Sequence, residues 1–191
     1  MKQLLRCSLM LTVALCMGLQ AGPILTLDPA GGALSGFPGQ TVGWGYTLVN
    51  DTDYLVVTSA DYVTATPVGA FTDFISGFNF IVVGPPPEST VVSQSFDLLA
   101  QTGIGSYLID PAAPIGASSI GVIQLTYDLY SVSPNDPAFD PGTDLVSGGN
   151  FLEADASVEV VIPEPSTYLL LACGLIALAV VRRQACRPGR G

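Results

Sequence analysis

From Thr41 to Val49 the chain alternates, with Val42, Trp44, Tyr46 and Leu48 on one face and Gly43, Gly45 and Thr47 on the other. A period of two is the mark of a strand with one buried side. Two glycines inside it predict a bulge or the close approach of another segment. Asn50-Asp51-Thr52-Asp53 then supplies turn chemistry, and a second strand is expected over 54–59. Residues 120–130 repeat the pattern, with Ile123, Leu125, Tyr127 and Leu129 opposed to Gln124, Thr126 and Asp128. Shorter strands are expected at 78–83, 90–99, 105–109 and 157–162. Breakers separate them: Pro67, Gly84-Pro85-Pro86-Pro87, the Pro111–Pro114 stretch, and the Pro- and Gly-containing 134–142. No helical period of useful length occurs between 22 and 162. Short strands punctuated by turns predict an all-β domain, an immunoglobulin-like β-sandwich, with a jelly roll as the next choice. No internal repeat suggests a solenoid.

The two ends follow a different pattern. Lys2 and Arg6 precede an almost unbroken apolar run from Cys7 to Leu19, and Leu19-Gln20-Ala21 ends in a small residue. Basic start, short apolar stretch and small-residue exit form a secretory signal peptide, 1–21. Lipid attachment at Cys16 is disfavoured because Leu15, not Gly or Ala, precedes it. Near the C-terminus, Pro163-Glu164-Pro165 leads into an apolar segment, 168–181, and then into Arg182 and Arg183, followed by Arg187 and Arg190. As a helix of ~1.5 Å rise per residue this segment would span about 21 Å, short of a ~30 Å hydrocarbon core. Local thinning of the bilayer and snorkelling arginines make up such a difference. The basic cluster stays cytoplasmic by the positive-inside tendency, so what lies between the two ends is exported.

Residues 162–187 resemble a PEP-CTERM sorting domain. Its three parts stand in order: Pro163-Glu164-Pro165, the apolar 168–181, and the basic cluster that begins at Arg182 and Arg183. Ile162 occupies a position where Val is commoner, and the tail beyond Arg183 is longer than usual. The resemblance implies a Gram-negative bacterium that makes exopolysaccharide, and export by Sec-type machinery. It also implies a precursor held transiently in the inner membrane and processed near Pro-Glu-Pro by an exosortase, a membrane-embedded cysteine protease or transpeptidase. The expected product is a non-enzymatic protein of the cell surface or exopolysaccharide matrix. Its domain, 22–161, would lie between signal peptide and sorting signal.

Charge sharpens this picture. The chain has 6 Lys and Arg and 16 Asp and Glu, with no His. All six bases lie in the two end segments, whereas only Glu164 among the acids lies outside 22–161. Side-chain salt bridges are therefore impossible within the domain. Its carboxylates must be solvated, hydrogen-bonded or metal-bound. The cationic footprint that nucleic acid requires is missing. All four cysteines (Cys7, Cys16, Cys173 and Cys186) lie in the end segments, so the domain depends on packing and not on disulfides.

Without His, Cys, Lys or Arg in the domain, no histidine or lysine base can activate a serine, and no histidine or thiolate can hold zinc. A carboxylate pair acting on a glycosidic bond is the remaining enzymatic option, and no residue pattern singles one out. Two binding readings stand beside the structural one. Asn135 to Asp144 gathers oxygen ligands, and Asp136, Asp140 and Asp144 are candidates for calcium. The loop lacks EF-hand spacing, since Ala138 and Pro141 occupy its ligand and glycine positions. Asp-Pro and Pro-Gly are equally ordinary solvated turn chemistry. Trp44 with Tyr54, Tyr62, Tyr107, Tyr127 and Tyr130 could stack on a sugar, although a Trp on an alternating strand is more often core. Asn50-Asp51-Thr52 matches a glycosylation sequon and is read as coincidence. No cofactor is expected apart from that calcium.

Overall fold

Trp44 is fully buried, and the alternation that buries it organises half of the molecule. The computed structural model describes residues 22–162 except 79 and 89. The expected signal peptide and the segment 168–181 lie outside these residues. Ten strands are described: β1 (Ile24–Asp28), β2 (Ala33–Gly36), β3 (Thr41–Val49), β4 (Tyr54–Thr64) and β5 (Gly69–Asp73), then β6 (Ile81–Val83), β7 (Val91–Gln94), β8 (Gly105–Ile109), β9 (Ser118–Tyr130) and β10 (Leu145–Val160). A single helical turn, α1 (Ile75–Phe78), follows β5.

One sheet holds β1, β3, β8 and β5 in that order, with β7 also on β3. The other runs β2-β10-β9-β4-β6. All pairings are antiparallel except β2 with β10. The inner faces meet in one core that includes Trp44, Tyr46 and Leu48 from the first sheet and Leu55, Ile123, Leu125 and Val158 from the second. The all-β expectation holds, and the two sheets make a sandwich.

The partner registers on β3 show how β7 and β8 relate. Gln94 stands opposite Tyr46 and Gly105 opposite Trp44. Both strands flank the same side of β3 end to end, and the segment between them is looped out. The expected strand 90–99 therefore stops at Gln94. Beyond it, Asp97 and Thr102 form an isolated bridge, and the Asp97 carboxylate accepts the Leu99 and Ala100 N–H groups. A local acceptor offers the backbone an alternative to the ladder, which ends the strand. Phe96 from this loop lies over Gly43, where an added Cβ would meet its ring and the Gly105 carbonyl oxygen at 2.5 Å. This close approach is what the two strand glycines predicted.

Other boundaries also moved. Residues 78–83 form a strand only from Ile81, because Asp73 caps the turn before it. Its carboxylate accepts from Ile75 N (2.7 Å) and Ser76 N, and reaches Ala60 N of β4 in the opposite sheet (3.2 Å). The expected strand 157–162 is the end of the 16-residue β10. β1, β2 and β5 were not anticipated. The aromatic cluster is internal: Trp44, Tyr62 and Tyr107 pack with ring centroids 5.2–6.3 Å apart. Trp44 Nε1 donates to Gly32 O at 2.8 Å. A sugar-stacking platform built on Trp44 is thereby corrected, since all three rings are buried.

Candidate functional site

The sequence-predicted acidic loop connects β9 to β10 at the pole opposite the chain's exit. Tyr130 and Phe139 anchor it with an edge-on ring contact at 5.0 Å. Each of its three candidate ligands serves the backbone. Asp136 Oδ1 accepts the Ala138 N–H (2.8 Å), Asp140 Oδ1 accepts that of Gly142 (2.8 Å), and Asp144 Oδ2 accepts that of Asp140 (2.8 Å). Asp110 does the same for Ala112 in the β8–β9 connection. Asp-Pro-X is thus a recurring local device: proline presets the turn and the carboxylate satisfies the N–H two residues on. Among the described residues no group of three or more His, Cys, Asp or Glu is placed to hold a metal ion.

Asn50, the residue of the sequon, is buried. It donates to Asp53 O (2.7 Å) and Val83 O (3.1 Å) while accepting from Thr52 Oγ1. It ties the β3–β4 turn to β6. Ser119, also buried, bonds to the Tyr62 hydroxyl at 3.0 Å. Among the described residues every buried side-chain polar atom has a partner.

Grooves among the described residues include two of note. One, of ≈ 510 Å³, lies between β5, the end of β8 and the 110–114 loop, lined by Pro67, Val68, Leu108, Pro111 and Pro114, with Asp110 as its charged group. The other, of ≈ 440 Å³, carries Glu153 and Asp155 two apart on β10. Gln124 Nε2 donates to Glu153 there at 2.7 Å. Neither groove was legible from the sequence, because each is assembled from segments far apart in the chain.

The sorting residues Pro163, Glu164, Pro165, Arg182 and Arg183 lie outside the described residues, but the fold delivers the chain to them. Val160 N donates to Ala117 O, Gly116 N to Val160 O, and Val161 N to Gly36 O, at 2.8–2.9 Å. The last of these bonds lies two positions before Pro163. The sandwich is tied down right up to the sorting signal. Among the described residues no helix is long and apolar enough to cross a membrane.

Comparison with known proteins agrees with the sequence at this end. The model of the PEP-CTERM protein-sorting motif matches residues 161–184. No curated protein matches the chain. Among solved structures the chain is similar to WR4, an MSP family member of C. elegans, at 8% identity and TM-score 0.35, covering 72% of this chain and 98% of that one. It is also similar to the sixth cohesin of Acetivibrio cellulolyticus scaffoldin B, solved with a Cel5 dockerin mutant, at 14% identity and TM-score 0.27 over 73% and 99%. A third similarity is to a complex of a CaDoc0917 variant with CaCohA2, at 18% identity and TM-score 0.28 over 73% and 99%. Scores of this size fall below the level at which a shared fold follows.

Proposed function

Residues 161–184 are a PEP-CTERM protein-sorting motif, and from that premise we propose that the sandwich is the cargo of an exosortase. The motif marks an exported precursor, anchored in the membrane and sorted to the cell surface. In this reading a signal peptide, 1–21, starts export through Sec-type machinery in a Gram-negative bacterium. The segment 168–181 holds the precursor in the inner membrane, and exosortase processing near Pro163-Glu164-Pro165 releases or relocates the domain. The mature product is a non-catalytic component of the surface or exopolysaccharide matrix. Its two mainly antiparallel sheets around one core support an immunoglobulin-like sandwich.

The observation that carries this reading is the junction itself. The described domain is bonded as far as Val161, to Gly36, and the sorting motif begins at 161, so one cut beside Pro-Glu-Pro would separate that domain from its anchor. The absence of His, Cys, Lys and Arg from 22–162 and the use of loop carboxylates as turn acceptors support a binding or structural role over catalysis.

The test is the intact mass of the full chain expressed in cells with and without an exosortase. We expect loss of the tail only where the enzyme is present, and retention of the tail when Pro163, Glu164 and Pro165 are all changed to Ala. An unchanged mass in exosortase-bearing cells would sink the proposal.

A further inference from the structure

The strand registers gather most of the connections at two poles. The exit pole holds 37–40, 65–68, 110–117 and the chain's exit at 161–162, because β3, β5 and β9 begin there and β2, β4, β8 and β10 end there. The far pole holds 50–53, 84–90 and 131–144. Charge divides them sharply. Asp51, Asp53, Glu88, Asp136, Asp140 and Asp144 all lie in far-pole connections, whereas the exit pole carries two, Asp110 in its connections and the exposed Glu159 at the end of β10.

Apolar side chains are exposed at both ends, but at the exit pole they encircle the point where the chain leaves. Val161 is bonded to Gly36, which places Phe37 (42% exposed) beside the exit. Gly116 is bonded to Val160, which places Ile115 (51%) on its other side. Ile162 itself is 62% exposed. Five residues, 163–167, then separate this rim from the apolar segment. Fully extended they reach about 18 Å, at most ~3.6 Å per residue.

We propose that this rim is a membrane seat: in the anchored precursor the exit pole rests on the lipid headgroup–acyl boundary, with the acidic pole pointing away. The seat rests on the reading that 168–181 holds the precursor in a bilayer. The short tether keeps the rim at a high effective concentration over the lipid, so a contact too weak to bind free protein suffices. The six carboxylates of the far pole are repelled by anionic lipid more strongly than the two at the exit pole, which leaves the more weakly charged pole as the end better able to approach. Phe37, Ile115 and Ile162 supply apolar surface of the kind that enters an interface. Seated in this way, the domain would hold Pro163-Glu164-Pro165 at a fixed height above the hydrocarbon. The lipid chemistry is that of the boundary layer, so zwitterionic phosphatidylcholine should serve.

The test uses the full chain in phosphatidylcholine vesicles, with lipids brominated near the glycerol end as short-range quenchers of tryptophan. Phe37→Trp and Ile115→Trp report the rim, Thr52→Trp reports the far pole, and the buried Trp44 provides the common background. We expect the two rim variants to lose about half of their added emission, and Thr52→Trp and the parent to lose almost none. Matching melting temperatures establish that all variants are folded. Flotation of the same samples separates the two ideas. A chain that fails to float overturns the anchoring and the seat together. A chain that floats with rim and far-pole tryptophans quenched equally or not at all overturns the seat alone, and leaves the rim as a contact for the processing enzyme.

Discussion

Tyr46 is 2% exposed and stands in the row that also buries Trp44 and Leu48. Burial disfavours its phenolate and raises its pKa from 10.0 to about 12. Its folded pKa is thus raised above the unfolded value. Its contribution to stability is complete below pH 10 and is lost as pH climbs toward 12, where the unfolded chain ionises and the folded one resists. Melting temperature should therefore fall between pH 10 and 12, and Tyr46→Phe should flatten that fall. Some slope should persist, because burial also raises Tyr107 and Tyr130, and a hydrogen bond to Glu88 raises Tyr54. A variant with the parent's full alkaline slope would show that Tyr46 is not the source.

At the scale of elements, the connections carry the novelty. A domain without a single cation puts its carboxylates to work on backbone N–H groups, and Asp-Pro-X is the repeated form. Asp140→Ala removes the acceptor for Gly142 N and should cost about 0.5–1 kcal/mol, as for a lost local cap. Asp140→Asn keeps an oxygen acceptor and sheds a like charge, so its melting temperature should stay level or rise slightly. A thermal melt of both variants decides the point; equal melting would mean that the carboxylate contributes nothing to the loop. β10 shows the opposite case, where pairing overrides composition. Gly148, Gly149 and Asn150 read as turn residues. They sit inside a strand because β9 pairs with β10 on both sides of them and irregularities between Leu145 and Asn150 absorb them. From Leu152 to Val160 the alternation was present in the sequence, but Ala and Asp are poor strand formers and hid its first half.

Over the whole molecule, charge is one-sided. All ionised side chains of 22–162 are negative, so self-repulsion opposes the compact state and dissolved ions relieve it. The chain's melting temperature should rise as NaCl increases from low salt to about 0.15 M. With Asp136, Asp140 and Asp144 engaged by backbone N–H groups, calcium and magnesium at matched ionic strength should give the same melt. A rise confined to calcium would instead mean a ligand bound to the folded state, with the 135–144 loop as the place to mutate.

The sorting signal, the all-β class and the buried row of β3 follow from the sequence because each is written locally. A proline-flanked acid before an apolar run, a period of two, and the absence of basic residues are visible within a few positions. The buried fate of Trp44, Tyr62 and Tyr107 as one cluster was decided only when two sheets closed on each other. The same is true of the grooves and of the division between a strongly and a weakly charged pole. Those features depend on strand direction and register, which bring residues such as Phe37, Ile115 and Val161 to one end of the sandwich. Pairing across dozens of residues sets them, and no local stretch of chain contains that information.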